Sequence, residues 1–187
     1  REEIEEMQQQ IDRCKAIVSG ILASAGEVRG EAPVSTTLHA FLDEVAAGWQ
    51  RTRGAARLDY RRAGLPDMAI VADEALDKII GNILDNALEA AGTGHPVVLE
   101  ATSEDGLLAL RVRDQGPGFA PHILERLGTP YRSTKGAPGR GLGLFLAVNV
   151  ARTLGGRLAA RNHPDGGAEV TVHLPLSVLV RQSRPER

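Results

Sequence analysis

Asn82-Ile83-Leu84-Asp85-Asn86-Ala87 is the stretch on which the reading of this chain turns. It lies in a run from Asp73 to Ala91 where Leu76, Ile79, Ile80, Ile83, Leu84, Ala87 and Leu88 recur at helical spacing. The run therefore predicts a strong helix with one core-facing side. Asn82 and Asn86, four residues apart, share another face of that helix. An asparagine oxygen is a hard, neutral ligand of the kind that suits Mg²⁺, which keeps several waters and binds through few protein groups plus phosphates. Taken alone, the pair reads more simply as capping or solvated surface.

On the C-terminal side, Gly92-Thr93-Gly94 stops the helix, and Val97 to Ser103 and Leu107 to Arg113 alternate as a hairpin about Glu104-Asp105-Gly106. A short helix at about Pro121 to Leu127 follows, then a Gly- and Pro-rich stretch from Gly128 to Arg140 that predicts a mobile loop. Leu142 to Leu154 is apolar on most sides, which predicts a buried helix stopped by Gly155-Gly156. Arg157 to Arg161 and Ala168 to Leu174 predict two final strands, and the chain beyond Pro175 is expected to fray. On the N-terminal side, Thr36 to Gln50 predicts a helix capped by Ser35 or Thr36, followed by short strands at Leu58 to Arg62 and Met68 to Val71. Strands and helices without strict alternation indicate an α+β fold, helices on one face of a mixed or antiparallel sheet.

Ahead of this lies a different pattern. Ile4, Met7, Ile11, Cys14, Val18, Ile21 and Ala25 repeat in a 3,4 spacing, an a/d heptad register that favours a helix pairing with another helix over an amphipathic helix packing on its own domain. Gly26 to Pro33, with two Gly, a Pro and charges, reads as a linker or hinge. The division expected is residues 1–30 as bundle helix plus hinge, 34–178 as the main domain and 179–187 as a polar, basic tail. Because the sequence opens on Arg1 in mid-helix, it is expected to be a soluble piece of something longer.

Composition narrows the function. The chain has 187 residues, 42% hydrophobic and 25% charged, with net charge −2. It belongs with ordinary soluble globular proteins. With 22 basic against 24 acidic residues there is no global positive field for a nucleic acid backbone, and none is expected as a partner. A single cysteine, Cys14, cannot form an internal disulfide, which fits a reducing compartment. No apolar run reaches the roughly 18 residues of a spanning helix.

Two further motifs carry chemistry. Asp114-Gln115-Gly116-Pro117-Gly118-Phe119 ends a predicted strand, where a carboxylate can accept from an exocyclic amine and glycines admit a flat ring or a phosphate. A plain turn explains it as well. Gly139-Arg140-Gly141-Leu142-Gly143-Leu144 runs into the buried helix, whose N-terminal N–H groups make an anion site. It lacks the spacing and the preceding strand of a dinucleotide fingerprint. Between them, Tyr131-Arg132-Ser133-Thr134-Lys135 supplies a cation and hydroxyls.

In this order the motifs resemble the N box, first glycine box, aromatic box and second glycine box of sensor histidine kinases. The resemblance covers residues 34–178 and implies a two-layer Bergerat-type sandwich, the ATP-binding domain that this family shares with gyrase, Hsp90 and MutL ATPases. The helix at 1–25 is similar to the second helix of the family's dimerisation bundle, and Asp12 to Cys14 with Arg140 to Asn149 look most like redox-responsive RegB/PrrB-type kinases. The resemblance implies ATP and Mg²⁺ as cofactors. Asn86 is the implied Mg²⁺ ligand supported by Asn82, Asp114 the reader of the adenine amine, and Gly116 and Gly118 the close-approach positions. Tyr131, Thr134, Lys135, Arg140, Gly141, Leu142 and Gly143 would line the nucleotide, with Asn82, Asn86 and Lys135 nearest the chemistry. Implied partners are a second subunit through the bundle helix, the phosphoacceptor helix of the same kinase and a response regulator receiver domain. The implied place is the cytoplasm, as the soluble portion of a sensor anchored in the inner membrane. His39, His95, His122, His163 and His173 lack the family's His-Glu/Asp acceptor motif, so the acceptor lies elsewhere. Competing readings are an ATP-binding regulatory module without transfer and a hydrolysing relative. Hydrolytic relatives carry Glu one turn before the metal Asn, whereas Asn82 cannot take a proton from water. Cys14, at a d position, either fills the seam or bridges two subunits when oxidised.

Overall fold

The computed structural model describes residues 35–54, 56–72, 74–92, 94–125, 127 and 143–180. The heptad segment with Cys14, most of the second glycine box and the whole Tyr131 to Lys135 stretch lie outside the described residues.

Five strands form one mixed sheet in the order β2 (Leu58–Ala63), β4 (Val97–Glu104), β5 (Leu107–Arg113), β7 (Ala168–Pro175), β6 (Arg157–Asn162). β2 runs parallel to β4 and every other neighbour is antiparallel. The β4–β5 hairpin turns where expected, with Asp105 and Gly106 at φ of 50° and 75°, the pair of positive angles that a tight hairpin needs. Alternation puts Val97, Leu99 and Ala101 of β4 and Leu108, Leu110 and Val112 of β5 into the core.

One face of this sheet carries the helices α1 (Leu38–Arg53), α2 (Glu74–Ala91) and α4 (Gly143–Thr153). α2 is central, packed on β4 and β5 and flanked by α1 and α4. Its Leu76, Ile79, Ile80, Ile83, Leu84 and Ala87 are buried, the face that the periodicity marked. Truncating a fully buried leucine such as Leu84 costs about 2–5 kcal/mol, so this contact is what holds α2 in register on the sheet. The short helix α3 is Pro121–Glu125. An α+β two-layer sandwich is the result, as expected.

Three local expectations are corrected. Ser35 and Thr36 do not cap α1, because with Thr37 they form β1, a short strand antiparallel to β3 (Ala69–Val71). Thr37 is the cap, its hydroxyl accepting from the Ala40 N–H at 3.3 Å. Helix α1 runs on to Arg53 rather than stopping at Gln50. The chain after Pro175 does not fray at once. Leu176–Leu179 makes a further helical turn, α5, and Leu179 is 3% exposed in the core. A leucine that finds apolar contact outweighs the local polarity of the tail.

On the sheet, burial pushes the His173 imidazole below its ordinary value, with Arg157 and Arg111 acting the same way and Glu104 opposing them. The unfolded chain then takes the proton first, so stability falls as pH drops through about 6.5, the ordinary histidine value, and the loss is complete below the lowered folded value. Thermal melts between pH 7.5 and 5 are expected to show a smaller acid loss for His173→Gln than for the wild type. Equal losses would contradict this.

Candidate nucleotide site

The three motifs converge on one helix. At the start of α4, a Cβ on Gly143 would stand 3.0 Å from the Asn86 amide nitrogen. One turn further along α2, a Cβ on Gly116 would stand 2.5 Å from the Ala90 carbonyl oxygen. The two contact points, Asn86 and Ala90, are about 6 Å apart along the helix axis. The glycine-rich helix start and the strand-end turn thus both lean on α2, four residues apart.

Each motif is built by local chemistry. Asp114 leaves the end of β5 only 5% exposed. Its Oδ1 accepts from the Gly116 N–H at 2.8 Å and the Ala168 N–H at 3.3 Å, and its own N–H donates to the Ala168 carbonyl at 3.0 Å. Among the described residues no hydrogen bond is made to Oδ2, so that oxygen is left to an external donor. The turn then depends on Gly118, at φ 79°, a conformation open mainly to glycine. Asn162, at the end of β6, spans it with both amide atoms: the Phe119 N–H donates to Oδ1 at 2.6 Å and Nδ2 donates to the Phe119 carbonyl at 2.9 Å. Space at Gly116 and Gly118 is filled by Ala90 and Asn162, so these glycines first of all shape the turn itself.

On α2, Asn86 is exposed and Asn82 half-buried, and neither carboxamide makes a hydrogen bond among the described residues. Both are available to a ligand. Asp85, between them, is fully engaged. Its Oδ1 accepts from Trp49 Nε1 at 2.8 Å and Arg53 Nε at 2.9 Å, and its Oδ2 accepts from Arg53 Nη2 at 2.6 Å. The carboxylate in turn raises the Arg53 guanidinium further above its ordinary value, chiefly through these hydrogen bonds. A cavity of about 850 Å³ lies between α1, α2 and α4, with Asn82, Asp85, Trp49 and Leu146 in its wall. It does not take in Asp114, Gly116 or Gly118. The Asp114 turn is therefore a separate surface from this cavity.

Of the expected residues, the structure sets Gly143 against Asn86, hydrogen-bonds Asp114 to Gly116 and packs Gly116 on Ala90 of the same helix, while Gly118 lies against Asn162 and Asn82 stands one turn before Asn86 in the cavity wall. Tyr131, Thr134, Lys135, Arg140, Gly141 and Leu142 lie outside the described residues. Among the described residues no three His, Cys, Asp or Glu side chains gather as a metal cluster. An ion with few protein ligands, held by an asparagine oxygen and phosphate, fits that donor set.

Sequence reasoning missed Asp85, Asn162 and Gly167. With the expected helix ending at Gln50, nothing in the sequence put Arg53 on one face with Trp49 toward Asp85; only the run of α1 on to Arg53 does so. Nothing in the sequence pairs Asn162 with a turn 43 residues away.

The family described as histidine kinase-, DNA gyrase B-, and HSP90-like ATPase matches residues 72–178. The C4-dicarboxylate transport sensor protein DctB of Pseudomonas aeruginosa is 32% identical over 182 residues, covering 93% of this chain and 29% of that protein. The sensor histidine kinase component HK1 of Mycobacterium tuberculosis is 36% identical over 148 residues, covering 76% of this chain and 82% of that one. Among solved structures, the mycobacterial sensor histidine kinase MprB matches the fold at TM-score 0.63 and 23% identity, over 77% of this chain and 97% of that chain. Full-length ShkA in complex with AMPPNP matches at TM-score 0.65 and 24% identity, over 100% of this chain and 40% of that chain. No helix among the described residues is long and apolar enough to cross a membrane. Motifs, fold and relatives agree that this chain belongs to the histidine kinase-, gyrase B- and HSP90-like ATPase family and carries the ATP-binding catalytic domain of a sensor histidine kinase.

Proposed function

We propose that the chain binds Mg-ATP along α2 and donates the γ-phosphoryl to a histidine on the preceding helix of its parent's dimerisation bundle, for relay to an aspartate of a response regulator receiver domain. The observation that carries this is the convergence of Gly143 on Asn86 and of Gly116 on Ala90. Adenine lies at the Asp114 end, with its amine donating to Oδ2, and the phosphates lie at the Asn86 and Gly143 end.

Asn86 would hold the metal with Asn82 beside it. Bound Mg²⁺ supplies charge neutralisation and orientation of the phosphates. The chain's own residues do the positioning: Asp114 fixes the base, the N–H groups at the start of α4 face the phosphates, and Lys135 and Arg140 add positive charge. Phosphoryl transfer needs little covalent help beyond this. Asn82 supplies no base for water, which favours transfer over hydrolysis.

The test is incubation with γ-labelled Mg-ATP and a separate bundle fragment carrying the histidine. Acid-labile label on that fragment supports the reading. Nucleotide binding without transfer would leave a regulatory module, and phosphate release without an acceptor would make it a hydrolase.

The RegB/PrrB-type likeness and the homodimer are part of the same proposal. If Cys14 occupies the seam of a two-fold bundle, oxidation joins two subunits and lowers kinase output. A non-reducing gel of oxidised protein is expected to show a dimer band that Cys14→Ser lacks. Monomer alone would remove the redox reading.

A further inference from the structure

We infer that Asp85 is a positioning residue for the phosphate end of the site: anchored to Trp49 and Arg53 of α1, it sets the rotation of α2 and hence where the Asn82 and Asn86 carboxamides point. This rests on the nucleotide reading above and adds to it a residue that touches neither nucleotide nor metal.

The geometry is that of a helix pinned on two sides. At about 100° per residue, Asp85 lies some 60° around α2 from Asn82 and 100° from Asn86. On one side Asp85 accepts three hydrogen bonds from two donors that are themselves one turn apart on α1. On the other side the Asn86 carboxamide faces Gly143 so closely that even a methyl group there would stand 3.0 Å from it. A turn of α2 by 10° carries an amide about 5 Å from the helix axis through roughly 1 Å. That is the scale of misplacement that costs a site its precision. The hydrophobic burial under α2 is not directional. The bidentate fork of Arg53 on Asp85 is directional. Burial of Trp49, 6% exposed, fixes the indole N–H in the same place.

Asp114, Gly116 and Gly118 stand on the β5 end and its turn, which meets α2 at the Ala90 backbone; backbone about 2 Å from the helix axis moves only about 0.4 Å in a 10° rotation, against roughly 1 Å for the amides. Loss of the Asp85 anchor is therefore expected to weaken the phosphate end and spare the adenine end. A residue that merely stabilised the fold would weaken both together. This separates positioning from structure.

The experiment uses the whole 187-residue chain as wild type, Asp85→Ala, Asp85→Asn and Arg53→Gln. Kd for Mg-ATP is measured by calorimetry and Kd for adenosine by NMR titration. Trp49 is the only tryptophan, so its emission reports whether the α1–α2 contact is intact. Asp85→Ala and Arg53→Gln are expected to raise Kd for Mg-ATP roughly tenfold, with a red-shifted Trp49 emission for Asp85→Ala and with adenosine affinity held within about twofold. Asp85→Asn keeps an oxygen for Trp49 but loses the ion pair, and is expected to fall between. Arg53→Gln changes a partly exposed side chain on the other helix, so it tests the anchor even where Asp85→Ala folds poorly. Unchanged Mg-ATP affinity in a variant whose Trp49 emission has shifted would overturn the inference, as would equal weakening of Mg-ATP and adenosine. A wild type that binds neither ligand would overturn the nucleotide reading and this inference with it, an outcome distinct from binding without selective loss.

Discussion

Asn86→Ala is expected to leave the fold standing and to remove phosphoryl transfer, by a factor on the order of 10² to 10³, the loss typical when one preorganised group facing developing charge is deleted. The two halves of that expectation have separate causes. Asn86 is exposed and its carboxamide makes no hydrogen bond among the described residues, so truncation opens no cavity and orphans no partner. Alanine is also the better helix former, so α2 gains slightly. Stability should stay within roughly 0.5 kcal/mol of wild type. What is lost is the oxygen ligand one turn past Asn82, and with it the proposed protein hold on the metal. Circular dichroism melts and label transfer to the bundle histidine, run on the same preparation, check both halves. Asn86→Asp, which keeps an oxygen, is expected to retain part of the transfer. Undiminished transfer in Asn86→Ala would end the assignment of Asn86 as the metal ligand.

Regular elements were largely legible because they rest on periodicity. The apolar stripe from Leu76 to Leu88 calls for a helix with one buried face, and the turn at Asp105 and Gly106 announces itself by residue type. Of the shortest elements, β3 was expected as Met68 to Val71, but β1 and α5 were not. β1 has three residues, too few for alternation to register, and exists because Ser35–Thr37 find Ala69–Val71 as partners. The α5 turn likewise depends on a burial that Leu179 meets only in three dimensions. In the site, residue types with distinctive chemistry, the two asparagines and Asp114, were visible in order along the chain. Their supports were not, because Asp85 with Arg53, Phe119 with Asn162 and Gly116 with Ala90 are pairings across 26 to 43 residues that no local pattern encodes. The same limit applies to Gly167, which reads as the end of a hairpin loop and turns out to press on the site.

Gly167→Ala tests that pressure. Gly166 and Gly167 both sit in the loop joining β6 to β7, at φ of 93° and 85°. Either substitution forces a side chain into backbone angles that L residues avoid, at roughly 1–2 kcal/mol. Beyond that the two positions differ. A Cβ on Gly166 meets nothing within 4 Å, whereas a Cβ on Gly167 would stand 2.0 Å from the Asp114 carbonyl oxygen and 3.1 Å from the Gln115 Cα. Backbone on backbone cannot be relieved by a rotamer change, so Gly167→Ala adds an overpacking cost of about 1–3 kcal/mol. A total near 3 kcal/mol lowers Tm by roughly 10 °C in a domain of this size. Gly166→Ala should lose only about half of that or less. The displacement also has a direction. Asp114 is tied to the same loop through Ala168, and pushing its backbone away turns Oδ2 off the line that the proposed contact with an adenine amine needs. Nucleotide affinity should therefore fall in Gly167→Ala at temperatures well below its Tm and hold in Gly166→Ala. If both variants melt alike and bind alike, the loop absorbs the methyl group by a shift of its own, and Gly167 does not set the position of Asp114.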